Sequence, residues 1–251
     1  MKFNFKAFGI HFLFSILLVS LFALVILTLW YPSIWSKALG GYDLFIKIVI
    51  IDLIVGPLCM GIVYKSHKSL KERIVDATTI LAFQLAFMGY GLWVLYESRP
   101  VFIVFAQDRY DVYVANEIEP EMLGDQAPFD RLSLTGPVYG AVDLASISSD
   151  TLFDLTVSGL DVSNFPKYYT PIEDFKETIS ARKVSYQEMD DTLLKSALTA
   201  YIDKNKLDER AVYWLPVKHR FGFVTAVLVG DEWIPHGYID LDSYETNYSR
   251  D

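Results

Sequence analysis

The chain begins with long apolar runs and changes, near residue 98, to short alternations broken by polar turns. Residues 8–30 form 23 positions without a formal charge. At about 1.5 Å per residue a helix of that length crosses the ~30 Å hydrocarbon layer of a bilayer. Residues 44–64 and 74–96 are two further runs of membrane length. They predict a membrane domain, residues 1–97, with three transmembrane helices. A signal peptide competes for the first run, but its apolar core would be only about 7–15 residues, so an uncleaved anchor is expected.

The remainder, residues 98–251, predicts a second domain. Residues 101–105 and 111–114 are rich in Val, Ile, Phe and Tyr, and Gln107, Asp108 and Arg109 between them suit a turn. Only Glu97 and Ser98 precede this pair, too short a link for a flexible tether, so the domain is expected close to the bilayer. Residues 121–180 are punctuated by Gly124, Pro128, Gly136, Pro137, Gly140, Gly159, Pro166 and Pro171, which predicts loops with one or two short helices. Residues 185–204 carry Leu193, Leu194, Ala197, Leu198 and Tyr201 at helical spacing, Ser185 and Glu188 as a capping box, and Glu188, Asp190 and Asp191 in the first turns. Residues 211–217, 222–229 and 233–241 predict a three-strand antiparallel meander, with Pro216 and Pro235 placing the outer two at an edge or bulge. The fold class is thus a membrane protein with three transmembrane α-helices and an α+β extracytoplasmic domain. An antiparallel sheet from the first two and last three strands is covered on one face by the 185–204 helix.

Charge sharpens this division. Residues up to 97 carry eight Lys/Arg and five Asp/Glu, a formal +3, while the rest carry 14 and 26, a formal −12. The acidic part argues against nucleic acid as a partner and against lying flat on anionic lipid. Lys2 and Lys6 precede the first run, and Lys65, Lys68, Lys71 and Arg73 crowd the link between the second and third, whereas residues 31–43 hold only Lys37. The positive-inside bias then puts the N terminus and the 65–73 loop in the cytoplasm and the second domain outside, which in a bacterium with two membranes is the periplasm. Trp30, Tyr31, Trp35, Trp93 and Tyr96 are expected near one water boundary.

Polar residues at membrane depth are costly. Lys47 can snorkel and pair with Asp43, and Asp76 lies beside the basic loop. Asp52 and Gln84 fall at comparable depths on helices running in opposite directions, so a hydrogen bond between them is expected. Three roles stay open for Asp52: an interhelical clamp, a contact to a partner helix in the bilayer, or part of a proton or ion path. Gly56 and Pro57 are expected to bend the second helix, and Ala82 and Ala86 form a small-xxx-small pair suited to close helix approach.

Catalytic signatures do not emerge. His11, His67, His219 and His236 show no metal spacing, Cys59 is a lone cysteine, and no nucleophile elbow or phosphate-binding glycine loop occurs. No enzyme activity, cofactor or metal is expected. Asp190 and Asp191 read as a solvated helix end, and Tyr168 and Tyr169 as loop packing.

The basic N terminus, three apolar crossings with DLIVGPL at 52–58, RPVFIVF and DRYDVYVANEI at the entry to the outer domain, FPKYYTP at 165–171, LPVKHRFGFVTAVL at 215–228 and GYIDLDSY at 237–244 resemble the TfpX/TfpZ family of type IV pilin accessory proteins. The resemblance runs over nearly the whole chain. It implies an inner-membrane protein of Gram-negative bacteria, N terminus cytoplasmic and C-terminal domain periplasmic, that assists its type IV major pilin without being a pilus subunit. On that reading Asp52 and Gln84 would meet the client within the bilayer. The strands bearing Val101, Ile103, Phe105 and Tyr113 would meet its head, for instance by strand addition. A membrane-anchored sensor or adaptor is the alternative, although the 65–73 loop offers little room for a cytoplasmic output. A membrane-anchored enzyme acting on pilin or glycan is a third.

Overall fold

A computed structural model describes residues 3–65, 67–189 and 192–243. Three helical spans, Phe5–Trp30, Gly41–Val63 and Leu70–Glu97, are long and apolar enough to cross a membrane. Each starts a few residues earlier than the apolar run read from the sequence. The first is α1 (Phe5–Val25) followed by a π-helical turn, Ile26–Trp30. A short helix, α2 (Trp35–Ala38), leads to the second span. That span is α3 (Gly41–Ile50), a π-helical turn over Ile51–Val55, and α4 (Gly56–Val63). The third is the unbroken α5 (Leu70–Glu97), started by a capping box in which Ser69 and Glu72 exchange hydrogen bonds.

The expected distortion of the second helix is present, one turn before the proline. Pro57 has no N–H and would crowd the carbonyl four residues earlier. The wider turn moves the ladder out of register there, and Gly56 N–H bonds Ile51 O instead. Close helix approach occurs elsewhere than expected. Ala82 and Ala86 are exposed, whereas a methyl group on Gly56 would overlap the Gln84 amide and one on Gly91 would overlap Ile48. Lys68 pairs with Asp76 at 2.5 Å, as the basic loop suggests.

Two residues after α5 the chain enters a mixed sheet. Its strands are β1 (Pro100–Ala106), β2 (Arg109–Val114), β3 (Val138–Val142), β4 (Tyr169–Pro171), β5 (Val184–Ser185), β6 (Val212–His219), β7 (Gly222–Val229) and β8 (Gly237–Ile239). The order is β4-β3-β1-β2-β6-β7-β8, with β5 also on β6. The β1–β2 hairpin and the β6–β7–β8 meander are as expected. The sheet is mostly antiparallel but not wholly so, because β1–β3 and β2–β6 are parallel pairs. The segment read as loops and short helices supplies β3 and β4, the helix α6 (Ser149–Val157) and most of a second short helix that runs to Arg182. Pro216 does not lie on an edge strand; it sits where the outer neighbour of β6 changes from β5 to β2. Pro235 precedes the shortened edge strand β8.

The helix expected from residue 185 starts later. Ser185 ends β5 and its side chain caps a 3-10 turn, Tyr186–Glu188, by accepting from Gln187 N–H. After α7 (Lys176–Arg182), the long helix is α8 (Thr192–Asn205). Asp190 and Asp191, placed in its first turns from sequence, lie outside the described residues, as does Tyr244 of the last motif. Leu194, Leu198 and Ile202 of α8 pack with Trp214 and Val227 on one sheet face.

The opposite face meets the membrane part. Ile103, Phe105, Val112, Val217 and Tyr238 share a buried cluster with Tyr31, Trp35, Leu39, Ile48 and Leu95. One apolar core therefore runs from the spans into the sheet. Tyr31 and Trp35, read as boundary aromatics, are 1% exposed within it, while Trp93 is 57% exposed. Tyr31 O–H donates to Leu95 O at 2.8 Å. Arg99 is also buried. Its Nε donates to Ser133 O at 2.9 Å, its Nη1 to Tyr96 O at 2.5 Å, and its guanidinium stacks 3.8 Å over the Tyr96 ring.

A candidate polar site inside the membrane helices

Three helices each contribute one polar side chain to a single point in the apolar interior. The Gln84 amide on α5 lies between His11 of α1 and Asp52 of the π-helical turn. Gln84 Oε1 is 2.5 Å from His11 Nε2. Amide oxygen accepts only, so that ring nitrogen carries the proton. Gln84 Nε2 donates at 3.3 Å to Asp52 Oδ1 and at 3.3 Å to the Asp52 carbonyl. The bare Cα of Gly56 gives the amide its room. Asp52 Oδ2 is buried without a hydrogen-bond partner. The expected Asp52–Gln84 contact is present, and His11 is the member that sequence reasoning missed.

Burial decides what this line of groups can do. His11, Asp52 and Gln84 are 8%, 4% and 7% exposed. The void beside them is about 10 Å³, room for no more than one water. In this arrangement Asp52 and Gln84 are buried against each other inside the bundle, which favours the interhelical clamp among the roles left open for Asp52. Among the described residues no group of three His, Cys, Asp or Glu is placed to hold a metal.

The second set of expected contacts is also interior. Val101 and Ile103 are 0%, Phe105 1% and Tyr113 8% exposed, on strands with a neighbour on each side. These side chains build the core on both faces of the sheet, and both strands are interior to it, β1 between β3 and β2 and β2 meeting β6 at Tyr110 and Asp111. The sheet ends instead at β4 and β8, three residues each, which is the blunt-edge pattern that discourages pairing. Tyr113 O–H shares a hydrogen bond with Ser163 Oγ at 2.7 Å, and Ser163 Oγ donates to Asp111 Oδ2 at 3.3 Å. Arg109 Nε donates to Asp111 Oδ1 at 2.7 Å. Burial pushes the Asp111 carboxyl above its ordinary range against the pull of Arg109. This network pins the 162–164 turn onto β2. Tyr169 packs edge-on against Phe102 and Phe129, the loop-packing role expected of it.

Among the apolar side chains that the outer domain exposes, with Leu134, Leu193 and Phe221 standing apart, is a row on α6 and the turn after it. Phe153, Val157 and Leu160 are 67%, 70% and 42% exposed, while Leu152 and Leu155 on the other side of α6 pack inward. The four-residue spacing of Phe153 and Val157 was the available signal.

Comparison with known proteins adds to this geometry. A family model described as Fimbrial assembly protein FimB matches residues 1–40, the first span and the link after it. Over 250 residues the chain is 38% identical to a "Fimbrial assembly protein, serogroup I" of Dichelobacter nodosus, covering 96% of each protein. It is 26% identical over 250 residues to the serogroup E1 protein of that organism, again 96% of each. To the protein of serogroups C1 and C2 it is 38% identical over 113 residues, 45% of this chain and 86% of that one. No solved structure matches. The resemblance read from the motifs is met at the level of fimbrial assembly proteins, and the narrower TfpX/TfpZ attribution rests on the motifs alone. With similarity running through both the spans and the sheet, this chain belongs to the fimbrial assembly protein (FimB) family.

Proposed function

We propose that this chain is an inner-membrane accessory protein that assists a type IV major pilin on its way into the pilus, acting by binding rather than by catalysis. The N terminus and the 65–73 loop face the cytoplasm and the sheet domain faces the periplasm, as the charge asymmetry of the loops favours. Relatives named as fimbrial assembly proteins support a role in pilus assembly.

The observation that carries the mode of action is the core shared by the spans and the sheet. It holds the outer domain at one height above the bilayer. A client anchored by its own membrane helix would carry its head at a comparable height, so a fixed surface meets it without a search. The exposed row Phe153, Val157 and Leu160 is the surface assigned to that contact, in place of the buried β1 and β2 side chains. Crosslinking in native membranes followed by purification tests the reading. Recovery of a major pilin is expected, and recovery of a histidine kinase or a transporter in its place would overturn it. A reporter fused at Asp251 checks orientation separately, with activity expected only outside the cytoplasm.

A further inference from the structure

The first and third spans both pack against the second. They leave a cleft of about 690 Å³ between them. Its walls are mostly apolar, with Ile10 and Phe14 on α1 and Leu81 on α5 beside the polar His11 and Thr78, and Lys6, Arg73 and Tyr64 also line it. Among the described residues neither Lys6 nor Arg73 has a carboxylate partner, because the nearby acids are engaged. Glu72 closes the capping box with Ser69, and Asp76 holds Lys68. Arg73 Nε is buried with no hydrogen-bond partner, and its guanidinium lies 5.9 Å from the Tyr64 ring centre. Two uncompensated cations at the head of an apolar slot, at the level where a span leaves the bilayer, match an amphiphile with an anionic head and an acyl tail.

We propose that this cleft binds an anionic glycerophospholipid, with its phosphate between Lys6 and Arg73 and one acyl chain along Ile10, Phe14 and Leu81. The lipid would complete the wedge that the helices leave open and tie α1 to α5 at the end away from the sheet. On the orientation proposed above it comes from the cytoplasmic leaflet. The assay below reads lipid class rather than leaflet, so its failure leaves that orientation, and the pilus role, standing.

The test uses the full chain in nanodiscs of phosphatidylcholine alone or with phosphatidylglycerol, read by native mass spectrometry after delipidation and by thermal unfolding. Wild type is expected to retain phosphatidylglycerol and to unfold at higher temperature when it is present. Lys6→Gln with Arg73→Gln is expected to retain it about 25-fold less well, at about fivefold per cation. Lys6→Arg with Arg73→Lys keeps the charges and is expected to retain it, which separates loss of charge from misfolding. Equal stabilisation by both lipids, undiminished retention in the Gln pair, the same stabilisation from inorganic phosphate alone, or a co-purifying polypeptide in place of the lipid would each overturn the proposal.

Discussion

The indole of Trp35 packs edge-on against the ring of Tyr238, centroids 4.8 Å apart, and so joins the link between the first two spans to the last strand of the sheet. Both rings are buried, and the Tyr238 hydroxyl shares a 2.7 Å hydrogen bond with Tyr139. Trp35→Ala should destabilise the junction by about 3–5 kcal/mol, the usual result of emptying a large aromatic site. Tyr238→Phe keeps the ring and loses one hydrogen bond, so about 1 kcal/mol is expected. Thermal unfolding in nanodiscs measures both, and hydrogen exchange should show the loss in β8 and in residues 31–39 together.

Gly56 and Gln84 form a matched pair. Gly56→Ala should cost about 1–3 kcal/mol, because the new methyl meets the amide. Gln84→Ala alone should cost less, and in the double variant most of the Gly56→Ala penalty should vanish, a coupling that a double-mutant cycle reads directly.

Asp52→Asn retains an acceptor for Gln84 and replaces an oxygen that has no partner. A stability change below about 1 kcal/mol and unchanged piliation are expected, since an interhelical hydrogen bond of this kind contributes ~0.6 kcal/mol. Loss of pili in Asp52→Asn with a normally folded protein would show a role beyond clamping.

Acid should weaken the outer domain through His219. Burial holds the His219 pKa below its ordinary value, against Asp240 and Asp242, which pull it up. Its Nδ1 accepts the Phe221 N–H at 3.4 Å. The unfolded chain therefore takes up a proton first. Stability is level above about pH 6.5 and falls as the pH drops from there toward the folded-state pKa. His219→Gln should flatten that slope, as measured by denaturant unfolding between pH 7.5 and 5.

The exposed row on α6 separates binding from folding. Phe153→Ser with Val157→Ser removes only exposed apolar groups, so stability should change by no more than about 0.5 kcal/mol per site. Crosslinking to pilin should fall while the protein level in the membrane stays the same.

Much of the fold was legible because burial demands leave a plain trace. The spans follow from uninterrupted apolar length. The hairpin and the meander follow from runs rich in branched and aromatic residues between polar turns. The strands inserted between hairpin and meander were hidden: VYGAV and YTP are short and interrupted by Gly and Pro, and nothing local signals that VYGAV pairs in parallel with β1, over thirty residues earlier, or that YTP pairs antiparallel with VYGAV. Ser185 with Glu188 imitates a capping box but serves a single 3-10 turn. Equal depth brought Asp52 and Gln84 together on paper. His11 escaped because it lies 19 residues before the outer end of the first span while Gln84 lies 13 before that of the third, so depth alone does not pair them. The outer-surface residues were misjudged because β1 is covered on both faces, and strongly apolar strands of that kind mark an interior and not an interface.

The junction at Ser98 and Arg99 has a mechanical meaning. A rod of 28 residues, about 42 Å long, turns into an interior strand of a plate with two residues between them. The buried guanidinium of Arg99, bonded to Tyr96 and Ser133, stiffens that corner. The molecule is thereby geared as a crank: a few degrees of roll or tilt imposed on the rod inside the lipid swings the whole plate, and a push on the plate is felt at the rod's far end.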